Sequence, residues 1–435
     1  MNLSATPHNR ASEHAIEIYR QVIEAVRADR LVSRAVQRAG DSLFIQQDRI
    51  DLSQFDRVWI AGVGKASCAM AQALDGILGD RLSGGLVITK TGHGIEVPKV
   101  TVIEAAHPVP DRTSLDAGVR MLSFAESVGE RDLVFFLLSG GASALMEAPK
   151  DGIELADLQD VTRHYLASGV DIGTLNHIRS RLSDIKGGGL AKAFSHTTVV
   201  ALVVSDVLGN DLRTIGSGPL VSPGLTGLKL GPTWVSSFQG PFRDKVNQAL
   251  RTPAMLPGAV GHQIPHYVIG SVSLAMIEAA DAARRLGLEP LSFADPLRGE
   301  ARTMARKICR HAIDRLPPGA CMIFGGETTV TIKGQGRGGR CQEMAVAAVD
   351  SMRSLPDTCF WAAGTDGTDG PTDAAGGFVD PDSAGRALGN GFRTRVSLRD
   401  NDSYAFLRAC GGLIQTGPTG SNVNDIVLVV RSESI

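Results

Sequence analysis

Short apolar runs that stop at glycine-rich or polar turns recur along this 435-residue chain, and they restrict it to an α/β architecture. Arg57-Val-Trp-Ile-Ala61 runs straight into Gly62-Val-Gly64-Lys65-Ala-Ser67 and then a helical pattern. Asp132–Leu138 (DLVFFLL) stops at Ser139-Gly140-Gly141-Ala-Ser143, and Thr197–Val204 stops at Ser205-Asp206. Ala320–Phe324 stops at Gly325-Gly-Glu327, and Thr358–Ala363 at Gly364-Thr-Asp366-Gly-Thr-Asp369-Gly-Pro-Thr-Asp373. Apolar runs of this length, bounded by turn residues, read as buried strands. Helical segments alternate with them. Ile16, Tyr19, Ile23 and Val26 share a helical face and predict a helix within 12–40, with Ser12 as its cap. Strand–helix alternation predicts an α/β fold of two domains, each a mostly parallel sheet with helices on both faces, Rossmann-like.

The chain is too long for one ordinary core, so two domains of roughly 200 residues each are expected. Residues 215–241 are rich in Gly, Pro and Ser and predict the junction. The expected division is 1–245, with glycine-rich anion-binding loops, and 246–435, with the basic glycine loop and the aspartate-rich loop. A second α/β pattern is expected from His266, with Thr328–Ile332 as a hairpin partner or edge strand. Formal net charge is −2, so no global positive field directs the chain to nucleic acid or anionic membrane. No apolar run approaches the ~18 residues that span a bilayer. Six cysteines, scattered without a CxxC pair, suit a reduced, cytoplasmic protein. A homodimer stays open.

The chemistry gathers at the strand ends. Gly62-x-Gly64-Lys65 sits at a strand-to-helix turn, where free amides and the helix dipole favour an anion. It is a poor dinucleotide fingerprint: Ser67 stands where the third glycine belongs. The next strand ends in Thr89-Lys90, where NAD would want an acid, although a basic residue leaves NADP open. Nor is it a Walker A loop, since Ala66 follows the Gly-Lys pair. The small residues at 139–143 can form an amide nest for an anion, or simply allow close packing. Arg179 and Lys186 lie seven apart on one predicted helical face. Asp206, with Asn210 just after it, places a carboxylate at a strand end, the usual ligand edge of an open α/β sheet. Arg340 follows four glycines in six residues and opens a helix, well placed to grip a phosphate or carboxylate. Asp366, Asp369 and Asp373 suit a hard cation such as Mg²⁺, with a helix-capping turn as the plainer alternative. Asn422 and Asn424 add amide donors before the last strand. His107, ahead of two prolines, could be catalytic but reads more simply as structural.

In this order, GVGKAS, HPVPD, LSGGASAL, NHIRSRLSDIKGGGLA, SDVLGND, GGETTVT, GRGGRCQE, GTDGTDGPTDAAGG and GPTGSNVND resemble the glycerate 2-kinase family of the MOFRL type. Older names in that family include hydroxypyruvate reductase. The resemblance runs from about residue 15 to the C-terminus. Cys341, where Asn is more usual, and Ser421, where Thr is, depart from the pattern. It implies a two-domain α/β kinase, its active site in the inter-domain cleft, that transfers the ATP γ-phosphate to the 2-hydroxyl of D-glycerate with Mg²⁺. It further implies catalytic roles for Lys65, Arg340 and Asp206, and metal contacts from Asp206 and Asp366. Gly62, Gly64, Ser139, Gly140, Gly141, Ser143, Arg179, Lys186, Asn210, Glu327, Asp366, Asp369, Asp373, Asn422 and Asn424 would line the substrate and nucleotide sites. The alternative is an NAD(P)H-dependent hydroxypyruvate reductase.

Overall fold

The computed structural model describes residues 3–168, 172–221, 244–245 and 264–433. The chain divides into two compact units, Ala28–Ile269 and Met1–Arg27 with Gly270–Ile435.

The unit Ala28–Ile269 opens with the helix Ala28–Ala35 and three antiparallel strands: β1 (Val36–Ala39), β2 (Ser42–Ile45) and β3 (Asp48–Asp51). The single helix expected within 12–40 is thus two helices followed by a strand. Its principal sheet contains β4 (Arg57–Val63), β5 (Leu82–Lys90), β6 (Val100–Ala105), β7 (Asp132–Leu138), β8 (Thr198–Val204) and β9 (His266–Gly270), in the order β6-β5-β4-β7-β8-β9. The first five are parallel. Every residue of β7 is buried, as expected for a central strand covered on both faces. Burying each of its Phe and Leu side chains stabilises the sheet by about 1.5–3 kcal/mol. After β4 the chain builds outward to β5 and β6, then returns to the other side of β4 with β7. The reversal creates a topological switch point between β4 and β7, where the carboxyl ends of neighbouring strands leave a crevice. β9, expected to begin the second pattern, is instead the sixth strand of this sheet.

The other unit contains β10 (Glu289–Ser292), β11 (Ala320–Gly326), β12 (Thr358–Gly364), β13 (Gly376–Val379), β14 (Leu413–Ile414) and β15 (Asp425–Arg431), in the order β10-β11-β15-β12-β13-β14. The α/β class and the two sheets stand as expected; the pairing within this second sheet differs. Only β10–β11 is parallel, while β15 lies antiparallel between β11 and β12, and β13 and β14 continue antiparallel. Ile426–Val430 are all apolar and buried, a run that suits any central strand and does not reveal its direction. Thr328–Ile332 forms no strand, making one isolated bridge, Glu300 to Thr329.

The helix Arg10–Ala25 belongs to this second unit, not to the amino-terminal domain in which 1–245 placed it. Its cap is Asn9, whose side chain accepts from the Ser12 amide while Ser12 reciprocates. Ala15, Ile18, Tyr19 and Val22 are fully buried, and the Tyr19 hydroxyl donates to the Gly364 carbonyl at 2.6 Å. The Tyr19 and Trp361 rings pack with centroids 5.3 Å apart. That apolar face fixes where the helix docks. Among the described residues, no helix is long and apolar enough to cross a membrane.

Candidate functional site

In the unit Ala28–Ile269, the predicted residues cluster at the carboxyl ends of β4 and β7. Gly64 takes φ +135°, and a Cβ there would overlap the Ser139 side chain and carbonyl. Glycine is therefore required for the two turns to meet. The Lys65 amide donates to the Gly140 carbonyl at 2.9 Å, and Ser139 Oγ accepts from the Ala66 amide at 3.1 Å. Gly62 packs against Leu137 in the same way. Ser67 is buried, its hydroxyl donating to the carbonyls of Gly64 and Ile88. Gly141, at φ +90°, lies between the stem of Lys65 and the ring of His107. Ser143 hydrogen-bonds Ser217, whose hydroxyl donates to Asn176.

Cationic groups border this edge. Burial, then the charges of Lys65, Lys90, His93 and Arg179, push the His107 imidazole down to about 4. Arg179 donates to the Thr162 hydroxyl at 3.2 Å. Asp206 is half-buried just past the end of β8, and Asn210, at φ +54°, closes the turn behind it.

Lys186 has a different setting from the one its spacing suggested. It is buried, and its ammonium pairs with the equally buried Glu147. Burial pushes the lysine pKa down, against the raising effect of Glu147.

In the other unit, Arg340 is the first residue of the helix Arg340–Met352. Its Nε and Nη2 donate to the two carboxylate oxygens of Asp425, at 2.6 and 2.8 Å, and Nη1 lies 2.8 Å from Glu327. Burial works against the guanidinium charge, but Asp425 and Glu327 outweigh it and hold the pKa above its ordinary value. Asn424 supports Glu327 through an amide hydrogen bond of 3.2 Å; Asn422 precedes it in the same turn. Arg340, Glu327, Thr329, Val330, Ile332 and Gly370 line part of a cavity of about 430 Å³.

The three aspartates of the 364–377 loop have separate duties. Asp366 accepts from the amide and hydroxyl of Thr368, both at 3.0 Å. Asp369 is buried and caps the Arg340 helix, accepting from the amides of Cys341 and Gln342 at 3.1 and 2.9 Å. Burial outweighs those donors and raises its carboxyl to about 6. Asp373 accepts from the Tyr404 hydroxyl and the Gln415 amide. Asp206 and Asp366 fall in different units. Among the described residues, no group of three or more His, Cys, Asp or Glu is placed to hold a metal. The glycines of the 334–339 loop allow close packing: Gly334 and Gly336 lie against Asp400 and Asp402, and Gly339 against Asp369.

Sequence reasoning did not single out Asp425 or the cationic surroundings of His107. The signal for Asp425 was a carboxylate opening the apolar run Ile426–Val430; for His107 it was a histidine just past a strand end.

Family models match residues 14–228, as a domain of unknown function (DUF4147), and 320–425, as the MOFRL family. A D-glycerate 2-kinase of Thermotoga maritima is 38% identical over 95% of this chain and 97% of its own. A glycerate 2-kinase of Pyrococcus horikoshii is 36% identical over 96% and 97%. A putative hydroxypyruvate reductase of Agrobacterium vitis is 37% identical over 85% and 98%. The crystal structure of a glycerate kinase from Thermotoga maritima superposes with a TM-score of 0.83 at 37% identity, covering 96% of this chain and 99% of that one. With this similarity along nearly its whole length, the chain belongs to the glycerate 2-kinase family.

Proposed function

We propose that this chain transfers the γ-phosphoryl group of ATP to the 2-hydroxyl of D-glycerate, assisted by Mg²⁺. The observation that carries the reading is the meeting of glycine turns with Lys65 and its cationic neighbours at the β4/β7 switch point. Phosphoryl transfer asks for positioned reactants and neutralised charge, and for little covalent chemistry from the protein. Lys65 and Arg179 hold anionic oxygens of the reactants, with amides of the 139–143 turn as further donors. Arg340 takes a second anionic group. Asp425 orients its guanidinium, and Glu327, 45% exposed, is the partner an incoming carboxylate or phosphate would displace. Mg²⁺ keeps several waters and uses one or two carboxylates plus phosphate oxygens. Asp206 is a donor of that kind, with Asp366 the second candidate. Bound there, the ion would offset charge on the phosphate oxygens.

The names of some relatives favour a second reading, reduction of hydroxypyruvate with NAD(P)H. The position beside β4 that would hold an acidic ribose contact is the end of β5, Thr89-Lys90. Lys90 would suit only the phosphorylated cofactor.

The deciding assay supplies D-glycerate, ATP and Mg²⁺, then enolase without phosphoglycerate mutase. Phosphoenolpyruvate forms if the 2-isomer is made, and its absence while ATP is consumed moves the transfer to another hydroxyl. Oxidation of NAD(P)H by hydroxypyruvate, without kinase turnover, would replace the kinase reading.

A further inference from the structure

His107 has no part in the reaction described so far, yet its position is that of a ligand contact. It lies two residues beyond β6, at the same carboxyl edge that carries Lys65 after β4 and Lys90 at the end of β5. A side chain added at Gly141 would place its Cβ 3.1 Å from His107 Cδ2, 3.3 Å from Nε2 and 3.3 Å from Lys65 Cγ. Imidazole and lysine stem therefore close on the same backbone position, whose missing Cβ lets both approach it. The charged groups whose fields act on the ring come from four places: Lys65 from the β4 turn, Lys90 from the β5 end, His93 from the following loop and Arg179 from the helix Ile172–Leu182.

The geometry points to His107 as an anion-contacting residue of this subsite, one that couples the binding of a carboxylate or phosphate to the uptake of one proton. The inference rests on the reading that this edge holds the anionic part of the substrate. The physical reason is charge balance. Burial and the surrounding cations hold the imidazole down to about 4, so at neutral pH it is uncharged. An anion seated against Lys65 cancels much of that repulsion and adds an acceptor, which favours the imidazolium. The proton comes from the buffered solvent, and the only bond made is the second ring N–H. Linkage fixes the sign: between the free and bound pKa values the anion binds more tightly as pH falls, by up to about tenfold per pH unit.

The test is calorimetric titration of the full chain at pH 5.5 and 7.5, in buffers of different ionisation enthalpy, with D-glycerate and separately with sulfate. Both ligands keep their charge over that range. The inference expects measurable proton uptake, larger at pH 5.5 than at 7.5, lost in His107→Gln with a several-fold weaker affinity. Selective labelling of the histidine rings provides a second measurement on the unaltered protein: the His107 ring should titrate at higher pH with ligand than without. Binding without proton uptake, uptake that survives His107→Gln (as it would if His93 were the acceptor), or an unshifted ring titration overturns it. Uptake with sulfate but no binding of D-glycerate would leave His107 in an anion subsite and remove the glycerate reading. Glycerate turnover without uptake would do the reverse.

Discussion

The carboxylate of Asp425 meets the guanidinium of Arg340 side-on, with 2.6 Å to Nε and 2.8 Å to Nη2. The planar fork of arginine fits both oxygens at once, so the first residue of β15 sets the direction in which the first residue of the Arg340 helix can point. Glu327 occupies the remaining Nη1 position, 2.8 Å away.

Arg340→Ala is expected to lower kcat/KM for D-glycerate by on the order of 10²–10³-fold or more, the loss typical of a positioned charge-stabilising donor. Asp425→Asn keeps the shape but removes the ionic pairing, and should destabilise the unit by about 1–3 kcal/mol. Steady-state kinetics and urea unfolding measure the two effects separately. A near-wild-type rate in Arg340→Ala would leave that arginine with a structural role alone.

Lys186 and Glu147 are 1% and 3% exposed at their side chains, so removing one partner strands a buried charge. Lys186→Met should cost about 3–5 kcal/mol of stability, and adding Glu147→Leu should restore most of it. The folded double variant should keep the wild-type KM for glycerate. A large rise in KM there would return Lys186 to the list of substrate contacts.

Asp369 carries a carboxyl raised from 3.8 to about 6. Because the folded state holds the proton more tightly than the unfolded chain, stability falls as pH rises from about 4 to about 6. The full penalty, about 3 kcal/mol at most, is present above that window. Asp369→Asn cannot titrate there. Stability of the wild type relative to this variant should therefore decline between pH 4 and 6 and level off above, as read from chemical unfolding at several pH values. A flat difference would show that the amides of Cys341 and Gln342 offset the burial.

Gly64→Ala places a methyl group against Ser139 and forces a non-glycine residue to φ +135°. Strain of about 1–3 kcal/mol comes from the backbone alone, before the overlap is counted. The variant should melt lower and lose activity together, since the same turn positions Lys65. Gly76→Ala, a glycine inside the helix Ser67–Leu78 with open space at its Cβ, is the control. It should change stability by no more than about 1 kcal/mol, in the stabilising direction.

What the sequence determined by itself was much of what neighbours along the chain set. Apolar runs ending in glycine or polar turns gave the central strands β4, β7, β8, β11 and β12 but not the short β1–β3, β13 and β14, helical spacing gave most of the longer helices, and those local patterns put Lys65 after a strand and Arg340 at a helix start. Only the tertiary structure decided which strands pair, because an apolar run such as Ile426–Val430 buries equally well in either direction. Folding likewise divided the charged residues. Lys186 and Glu147 stand 39 positions apart, Arg340 and Asp425 stand 85 apart, and Asp369 caps a helix that began 29 residues earlier, at Arg340. A lysine or aspartate looks the same in a sequence whether solvent, a ligand or a distant partner balances its charge, and that partner exists only once the chain has closed upon itself.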